Sequence, residues 1–211
     1  MNKAQNVIKF YTMCNTLKDV VRTGWQNWGV NRDRVESVAE HVYGVQMLAI
    51  AMWAEYKYDI DIQKVITMLA IHEVEEIVIG DLTMFQVTKE DKKKQGHDAV
   101  REIFSTLSNS WNIEELIYEF DERKTPEAQF AYFCDKLECD LQSKLYDEQH
   151  CVDLYSQENN KVMENEKVKQ LLDKGYSWSK MWMMFGQERY NYDKNFIEVS
   201  NEALQTEIME K

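Results

Sequence analysis

One proline and seven glycines are all that this chain of 211 residues contains. All-β folds and alternating β/α folds need many tight turns, and tight turns depend on these two residues because others avoid the required backbone angles. A chain so poor in turn residues favours long helices that are joined by short connections. We therefore predict an all-α fold.

Apolar residues recur at helical spacing along most of the chain. This pattern predicts helices over residues 4–22, 36–56, 62–80, 89–108, 113–123, 126–149 and 189–209, with loops at 23–33 and 81–87. No internal repeat or low-complexity linker divides them. We predict one domain, in which a helical bundle over residues 1–150 carries a C-terminal helical extension over residues 151–211.

The formal net charge of −12 argues against a long nucleic-acid partner, which requires a basic surface. A nucleotide-sized anion is still compatible, because a metal ion and one or two arginines can supply local positive charge. The sequence has no apolar run of 18 residues and no secretion signal at its start, so we expect no membrane span. Four cysteines without Cys-x-x-Cys spacing are typical of reduced thiols, and we predict a cytoplasmic location.

Two of the four histidines lie next to several carboxylates. One ends the segment Arg34-Val-Glu-Ser-Val-Ala-Glu-His41, and the other opens His72-Glu-Val-Glu-Glu-Ile-Val-Ile-Gly-Asp81. A further acidic segment, Cys134-Asp-Lys-Leu-Glu138, follows. Imidazole and carboxylate groups at separated points of a helical chain are what a divalent metal site requires.

Helical periodicity turns these side chains towards the core. His41 shares a face with apolar residues of its helix, and His72, Glu73 and Glu76 fall within one sector of the next. Buried carboxylates are costly unless something neutralises them, and a bound cation would do so. A hydrogen-bonded core histidine and a glutamate in a salt bridge are the simpler alternatives, and spacing alone leaves all of them open.

These segments resemble the HD-domain metal-dependent phosphohydrolases. Within that superfamily they are most similar to the branch that contains bacterial 5′-deoxynucleotidases and eukaryotic HD-domain-containing proteins. The resemblance covers about residues 15–150 and implies an HD-domain helical bundle. It is carried by Arg22-Thr-Gly-Trp25, the segment that ends at His41, His72-x-x-x-Glu76-x-x-x-Gly80-Asp81 and Asp135-Lys-Leu-Glu138.

The resemblance implies one divalent transition metal, with Mn, Co, Fe, Ni or Zn as candidates and Mg also possible. Its implied ligands are His41, His72, Glu73 and Asp135. Glu73 stands where the family pattern has Asp, and its extra methylene moves the carboxylate by about one bond length. Either Glu73 still ligates, or metal choice changes, or catalysis is lost. We expect ligation, because Glu76, Asp81 and Asp135 are all retained.

The resemblance also implies roles in catalysis and substrate binding. Glu76 would orient or deprotonate the attacking water, and Asp81 would hold that water or a sugar hydroxyl. Arg22 would bind the phosphate, with Trp25 and Arg34 as further substrate contacts. Core packing is the alternative for Trp25, and an ion pair with a neighbouring glutamate is the alternative for Arg34.

The predicted reaction is metal-dependent hydrolysis of a (deoxy)nucleoside 5′-monophosphate to nucleoside and phosphate. One alternative is hydrolysis of another phosphoester, such as a dinucleotide or a triphosphate, and a second is a non-catalytic module that binds metal and nucleotide. We interpret Lys92, Lys93 and Lys94 as a solvated helix face, which leaves no basic cluster for additional phosphates.

The resemblance also implies a homodimer. The aromatic stripe from Trp178 to Phe185 either covers the bundle or forms a subunit contact.

Overall fold

A computed structural model of the chain describes residues 2–83, 86–158 and 160–209. In those ranges the helices, in chain order, are α1 (Lys3–Asn15), α2 (Thr23–Asn27), α3 (Val38–Tyr56), α4 (Ile62–Ile71), α5 (Glu76–Ile79), α6 (Lys89–Phe104), α7 (Trp111–Glu122), α8 (Pro126–Glu148), α9 (Glu166–Asp173), α10 (Trp178–Gly186) and α11 (Lys194–Gln205). Extended pairing within the described ranges is limited to one isolated bridge, between Val21 and Ser37. The predicted all-α class is confirmed. No helix in these ranges is long and apolar enough to cross a membrane.

Several predicted boundaries were wrong. The first helix stops at Asn15 and continues only as a 3₁₀ turn over Thr16–Lys18, while the predicted loop at 23–33 contains the short helix α2. The predicted loop at 81–87 includes Met84 and Phe85, which lie outside the described residues.

The predicted third helix, 62–80, is interrupted after Ile71 and resumes as α5. The amides of Val74 and Glu76 bond to carbonyls three residues earlier, which is the pattern of tight turns and not of an α-helix. Just before the break, the carbonyl of Leu69 accepts a hydrogen bond from Nδ1 of His72 at 2.7 Å. In a continuous helix that carbonyl serves the amide of Glu73. A side chain therefore competes with the helix for its acceptor at the break.

One compact unit comprises Met1–Thr23 and Glu36–Tyr132. In it α3 packs against α4, α4 against α7, and α6 against both α5 and α7. Its buried core cluster contains Val74, Val100, Ile103, Phe104 and Ile117. Helices from both sides of the break at residue 72 thus contribute to one framework.

A second compact unit comprises Gly24–Val35 and Phe133–Lys211. Trp25 and Trp28 pack in its core with Trp178 and Met181, and Trp182 and Phe185 lie partly buried against that cluster. The C-terminal aromatic stripe therefore packs inside this unit, which favours the first of its two interpretations. Compact units are not the same as independently folding domains, so the division at residue 150 stays a prediction.

Asp140 of α8 is fully buried in the second unit. The hydroxyl of Tyr190 donates to its Oδ2 at 2.5 Å. The carboxyl group also lies so close to the backbone of Gly186 that a Cβ at that position would overlap with it. Burial raises the pKa of Asp140 from 3.8 to about 8, although the hydrogen bond from Tyr190 opposes the rise.

This buried carboxyl group makes stability depend on pH. The unfolded chain releases the Asp140 proton near pH 3.8, whereas the folded chain keeps it until about pH 8. The contribution of Asp140 to the free energy of unfolding is therefore complete below pH 3.8 and is lost as pH rises towards 8. Asp140→Asn keeps an acceptor for Tyr190 and removes the titration. In chemical denaturation across this range, we expect the variant to gain stability over the unsubstituted chain as pH rises. Parallel stability curves for the two proteins would contradict the assignment.

Candidate metal centre

His41 is fully buried on the first turn of α3. That helix starts at Ser37, whose side chain accepts from the amide of Glu40, while the Glu40 side chain accepts from the amide of Ser37. This reciprocal cap satisfies two amides that the helix itself leaves unpaired. It fixes the start of α3 and hence the position of His41 one turn inside it.

His72 lies at the carboxyl end of α4 and is also buried. A carbonyl can only accept a hydrogen bond, so the contact with Leu69 requires the proton of a neutral His72 ring to be on Nδ1. Nε2 is then the nitrogen with the lone pair. Fixing the ring through one nitrogen and presenting the other is the usual arrangement of metal-binding histidines.

The carboxylate of Glu73 lies beside both imidazoles. Its Oε1 is 3.9 Å from Nε2 of His41 and 3.8 Å from Nε2 of His72. Its charge is also 3.5 Å from the guanidinium of Arg22. The longer side chain of glutamate therefore still brings a carboxylate oxygen to the two ring nitrogens.

Asp135 is buried on α8, and its Oδ2 is 2.7 Å from Nζ of Lys136. His41, His72 and Glu73 lie in one compact unit and each offers one ligand atom, and these three atoms all lie within 4.8 Å of one another. They are three of the four ligands that the resemblance implies, and Asp135, which lies in the other compact unit, stays a predicted ligand.

The donor atoms of His41, His72 and Glu73 fit a divalent metal ion. Two ligand atoms on opposite sides of an ion, each at about 2.1 Å, lie roughly 4.2 Å apart. The spacing of the three atoms therefore requires only small movements to reach one ion. Imidazole nitrogens together with a carboxylate oxygen are donors that divalent metal ions accept.

Glu76 begins α5 and is only 1% exposed. Its Oε1 lies 3.5 Å from Nζ of Lys92, and its buried Oε2 has no hydrogen-bond partner within the described part of the chain. Burial and the negative charges of Glu73 and Asp81 raise the pKa of Glu76 to about 11. A cation at the adjacent histidines would favour the ionised form instead, because its charge opposes that of the carboxylates.

Asp81 connects the loop after α5 to the segment that carries Arg22. Its Oδ2 accepts from the amide of Thr23 at 2.7 Å, and its carbonyl accepts from the Thr23 hydroxyl at 2.7 Å. The amide of Arg22 donates to the carbonyl of Glu36 at 3.0 Å. The backbone is therefore held at Arg22 itself and at the following residue, Thr23, beside the guanidinium that pairs with Glu73.

Trp25 and Arg34, two residues predicted to contact the substrate, lie in different environments, one buried and the other exposed. Trp25 is buried, and its ring packs against Tyr146, Trp178 and Trp182 with centroids 5.0–6.1 Å away. This geometry favours core packing, the alternative interpretation of Trp25. Arg34 is exposed. For both residues a contact with substrate stays a prediction.

Two residues at this site, Thr23 and Lys92, were not predicted from the sequence. Thr23 makes both contacts to Asp81. It lies in the Arg22-Thr-Gly-Trp25 segment that carries the resemblance, but no role was predicted for it. Lys92 was interpreted as part of a solvated face, but its Nζ donates to the carbonyl of Leu82 at 2.9 Å and lies next to Glu76. A signal was available here, because Lys92 is four residues before Gly96 and begins the stripe that continues to Val100 and Ile103.

A family model described as HD domain matches residues 14–174 of the chain. Among curated proteins, the chain is 35% identical over 152 residues to 5′-deoxynucleotidase HDDC2 of Dictyostelium discoideum, which covers 68% of this chain and 79% of that protein. It is 26% identical to the human protein of the same name over 148 residues, or 69% of this chain and 70% of that one. The residues matched by the family model include all of the predicted site residues.

Solved structures share the fold. The PH0347 protein of Pyrococcus horikoshii OT3 matches with a TM-score of 0.63 and 23% identity, over 93% of this chain and 97% of that one. A predicted metal-dependent phosphohydrolase of Magnetospirillum magnetotacticum MS-1 matches with a TM-score of 0.60 and 21% identity, over 96% of both chains.

Substitution of a ligand tests the metal centre. We expect His72→Ala to lose bound metal, since it removes one of two nitrogen donors, while His97→Ala retains it. His97 is the matched control because it pairs with Asp121 at 2.6 Å and does not belong to the group of His41, His72 and Glu73. Metal content after loading and dialysis, measured by plasma mass spectrometry, distinguishes them. Equal metal content in the two variants would exclude His72 as a ligand.

Proposed function

This chain belongs to the HD-domain family, and on that premise we propose that it is a metal-dependent phosphohydrolase acting on nucleoside 5′-monophosphates. The family match confirms the resemblance seen in the sequence. The observation that carries the proposal is the group of His41, His72 and Glu73, with the buried carboxyl of Glu76 one turn further along. Nucleotide monophosphates are proposed as substrates because relatives over two thirds of the chain are named 5′-deoxynucleotidases.

The proposed metal ligands are His41, His72, Glu73 and Asp135. A bound divalent cation supplies Lewis acidity towards a phosphoryl oxygen and lowers the pKa of a coordinated water. Neutral imidazoles can bind the metal through a ring nitrogen. The hydrogen bond from Nδ1 of His72 to the carbonyl of Leu69 leaves Nε2 of that ring available as the ligand atom.

Glu76 is proposed as the group that orients or deprotonates the attacking water. Its Oε1 is occupied by the ion pair with Lys92, so Oε2 is the oxygen left to accept a hydrogen bond from a water. Both oxygens are buried, which strengthens electrostatic interactions within the site.

Arg22 is proposed to bind the substrate phosphate. A guanidinium can donate two parallel hydrogen bonds to phosphate oxygens. Its ion pair with Glu73 places it beside the proposed metal ligands. Asp81 accepts a hydrogen bond from Thr23, the residue after Arg22. We propose that the carboxylate of Asp81 also contacts the attacking water or a sugar hydroxyl.

The replacement of the family Asp by Glu73 leaves a non-catalytic binding module as the second candidate. The approach of Glu73 Oε1 to both histidines supports retained ligation. Another phosphoester substrate is the third candidate. Release of pyrophosphate or tripolyphosphate from a triphosphate would favour it.

The central test is phosphate release from deoxy- and ribonucleoside monophosphates by metal-stripped protein supplied with Mn²⁺, Co²⁺, Mg²⁺ or Zn²⁺. We expect release that requires an added metal.

A second test substitutes Glu76. Glu76→Gln should keep the metal and lose turnover by orders of magnitude, because the amide of glutamine cannot accept a proton from the attacking water. Glu75→Gln changes the neighbouring buried carboxyl and should retain turnover.

Folded, metal-loaded protein that releases no phosphate from any of these substrates would contradict the proposed reaction. Normal turnover in Glu76→Gln would remove Glu76 from it while leaving the reaction in place.

We also propose a homodimer in the cytoplasm. All four cysteines are free thiols, as a reducing compartment requires. Helix α3 exposes Tyr43, Met47, Ile50 and Trp53 at helical spacing, and an apolar stripe of this kind is suited to a subunit contact.

Light scattering tests the assembly. We expect the mass of two chains, and the mass of one chain after Met47→Lys, because a charge in the centre of an apolar contact is costly to desolvate. Glu55→Lys also adds positive charge to α3 at an exposed position off the stripe, and it should leave the mass unchanged. A monomeric unsubstituted chain contradicts the dimer, and an unaffected Met47→Lys dimer contradicts this contact.

A further inference from the structure

We propose that Lys92 is a positioning residue of this site, which fixes Glu76 and ties it to the loop that follows Gly80. The inference rests on the proposed function, because it assigns Lys92 a part in the same reaction. Its basis is the different orientation of three consecutive lysines. The helix turns Lys92 towards the site, whereas Lys93 and Lys94 are exposed to solvent.

Helix α6 turns Lys92 inward. The helix is capped by Thr88, whose side chain accepts from the amide of Asp91 at 3.1 Å. From this start, Lys92 falls on the same face as Gly96, Val100 and Ile103, all three of which are buried. Successive residues of a helix point about 100° apart, so Lys93 and Lys94 leave this face and are exposed.

The same face approaches α5 closely. A Cβ at Gly96 would lie 3.3 Å from Cγ of Glu75. Any residue larger than glycine at this position would therefore push Glu75 away. This approach sets the distance between the two helices. It leaves the Lys92 side chain, one turn before Gly96, in reach of Glu76 at the start of α5.

The ammonium group of Lys92 makes two contacts that join separate parts of the site. Nζ donates to the carbonyl of Leu82 at 2.9 Å and lies 3.5 Å from Oε1 of Glu76. The Lys92 side chain is one-third exposed, whereas that of Glu76 is 1% exposed. Lys92 thus links a buried carboxylate to the backbone of the loop.

The charge of Lys92 is well matched to its surroundings. Burial acts to lower the pKa of this ammonium group, but the nearby carboxylates of Glu73, Glu76 and Asp81 outweigh burial and raise it. A neutral side chain of the same length would leave these carboxylates with less opposing charge. It would also leave Oε1 of Glu76 without the contact that distinguishes it from Oε2.

Lys92→Met tests this role, since Met has a similar length and no charge. In metal-loaded protein that releases phosphate, we expect kcat to fall at least about tenfold, with KM within about threefold and metal content unchanged. Lys92→Arg, which restores a charged donor, should recover part of kcat. Lys93→Met and Lys94→Met are matched controls and should retain kcat.

Several other results would each overturn the positioning role of Lys92 or the proposed function. Unchanged kcat in Lys92→Met, or an equal loss in Lys93→Met, overturns the positioning role. A raised KM with unchanged kcat overturns it in favour of a substrate contact, and a loss of metal overturns it in favour of a structural role. If the unsubstituted protein releases no phosphate, the proposed function itself fails and this inference with it. Should Lys92→Met not fold, failure of Lys92→Arg to exceed Lys92→Gln in kcat overturns the proposal.

Discussion

The hydrogen bond between Nδ1 of His72 and the carbonyl of Leu69 is the contact on which the rest of the site depends. It occupies a helical acceptor where the third predicted helix breaks, and it fixes which ring nitrogen carries the proton. The break then separates α4 from α5, so that Glu73 and Glu76 are placed by tight turns and a new helix start. Local backbone structure and metal-binding chemistry therefore share one interaction.

Around this contact the chain concentrates negative charge that it only partly neutralises. Arg22 pairs with Glu73, and Lys92 pairs with Glu76. Burial and neighbouring carboxylates still hold the pKa of Glu76 near 11. Carboxyl groups kept this close are costly without a further positive charge, and a divalent cation at the two imidazoles would supply it. The arrangement is more suited to binding a cation than to stabilising the fold.

Much of this could be predicted from the sequence, since scarce turn residues and helical periodicity are properties of the chain itself. The Ser37 cap and the inward face of His41 follow from local pattern. The break after Ile71 does not, because the competing donor is the side chain at the break itself, in a stretch whose apolar spacing continues through it. Trp25 was ambiguous for another reason. An aromatic residue beside an arginine is equally compatible with a binding loop and a core, and only its neighbours decide.

The position of a bound metal ion is the most direct test of the proposed site. Anomalous diffraction from crystals grown with Mn²⁺ or Co²⁺, recorded at the absorption edge of that metal, locates the ion without reference to activity. We expect one strong peak within bonding distance of Nε2 of His72, Nε2 of His41 and a carboxylate oxygen of Glu73. A peak away from these atoms, or His72 turned so that Nδ1 faces the ion, would contradict it.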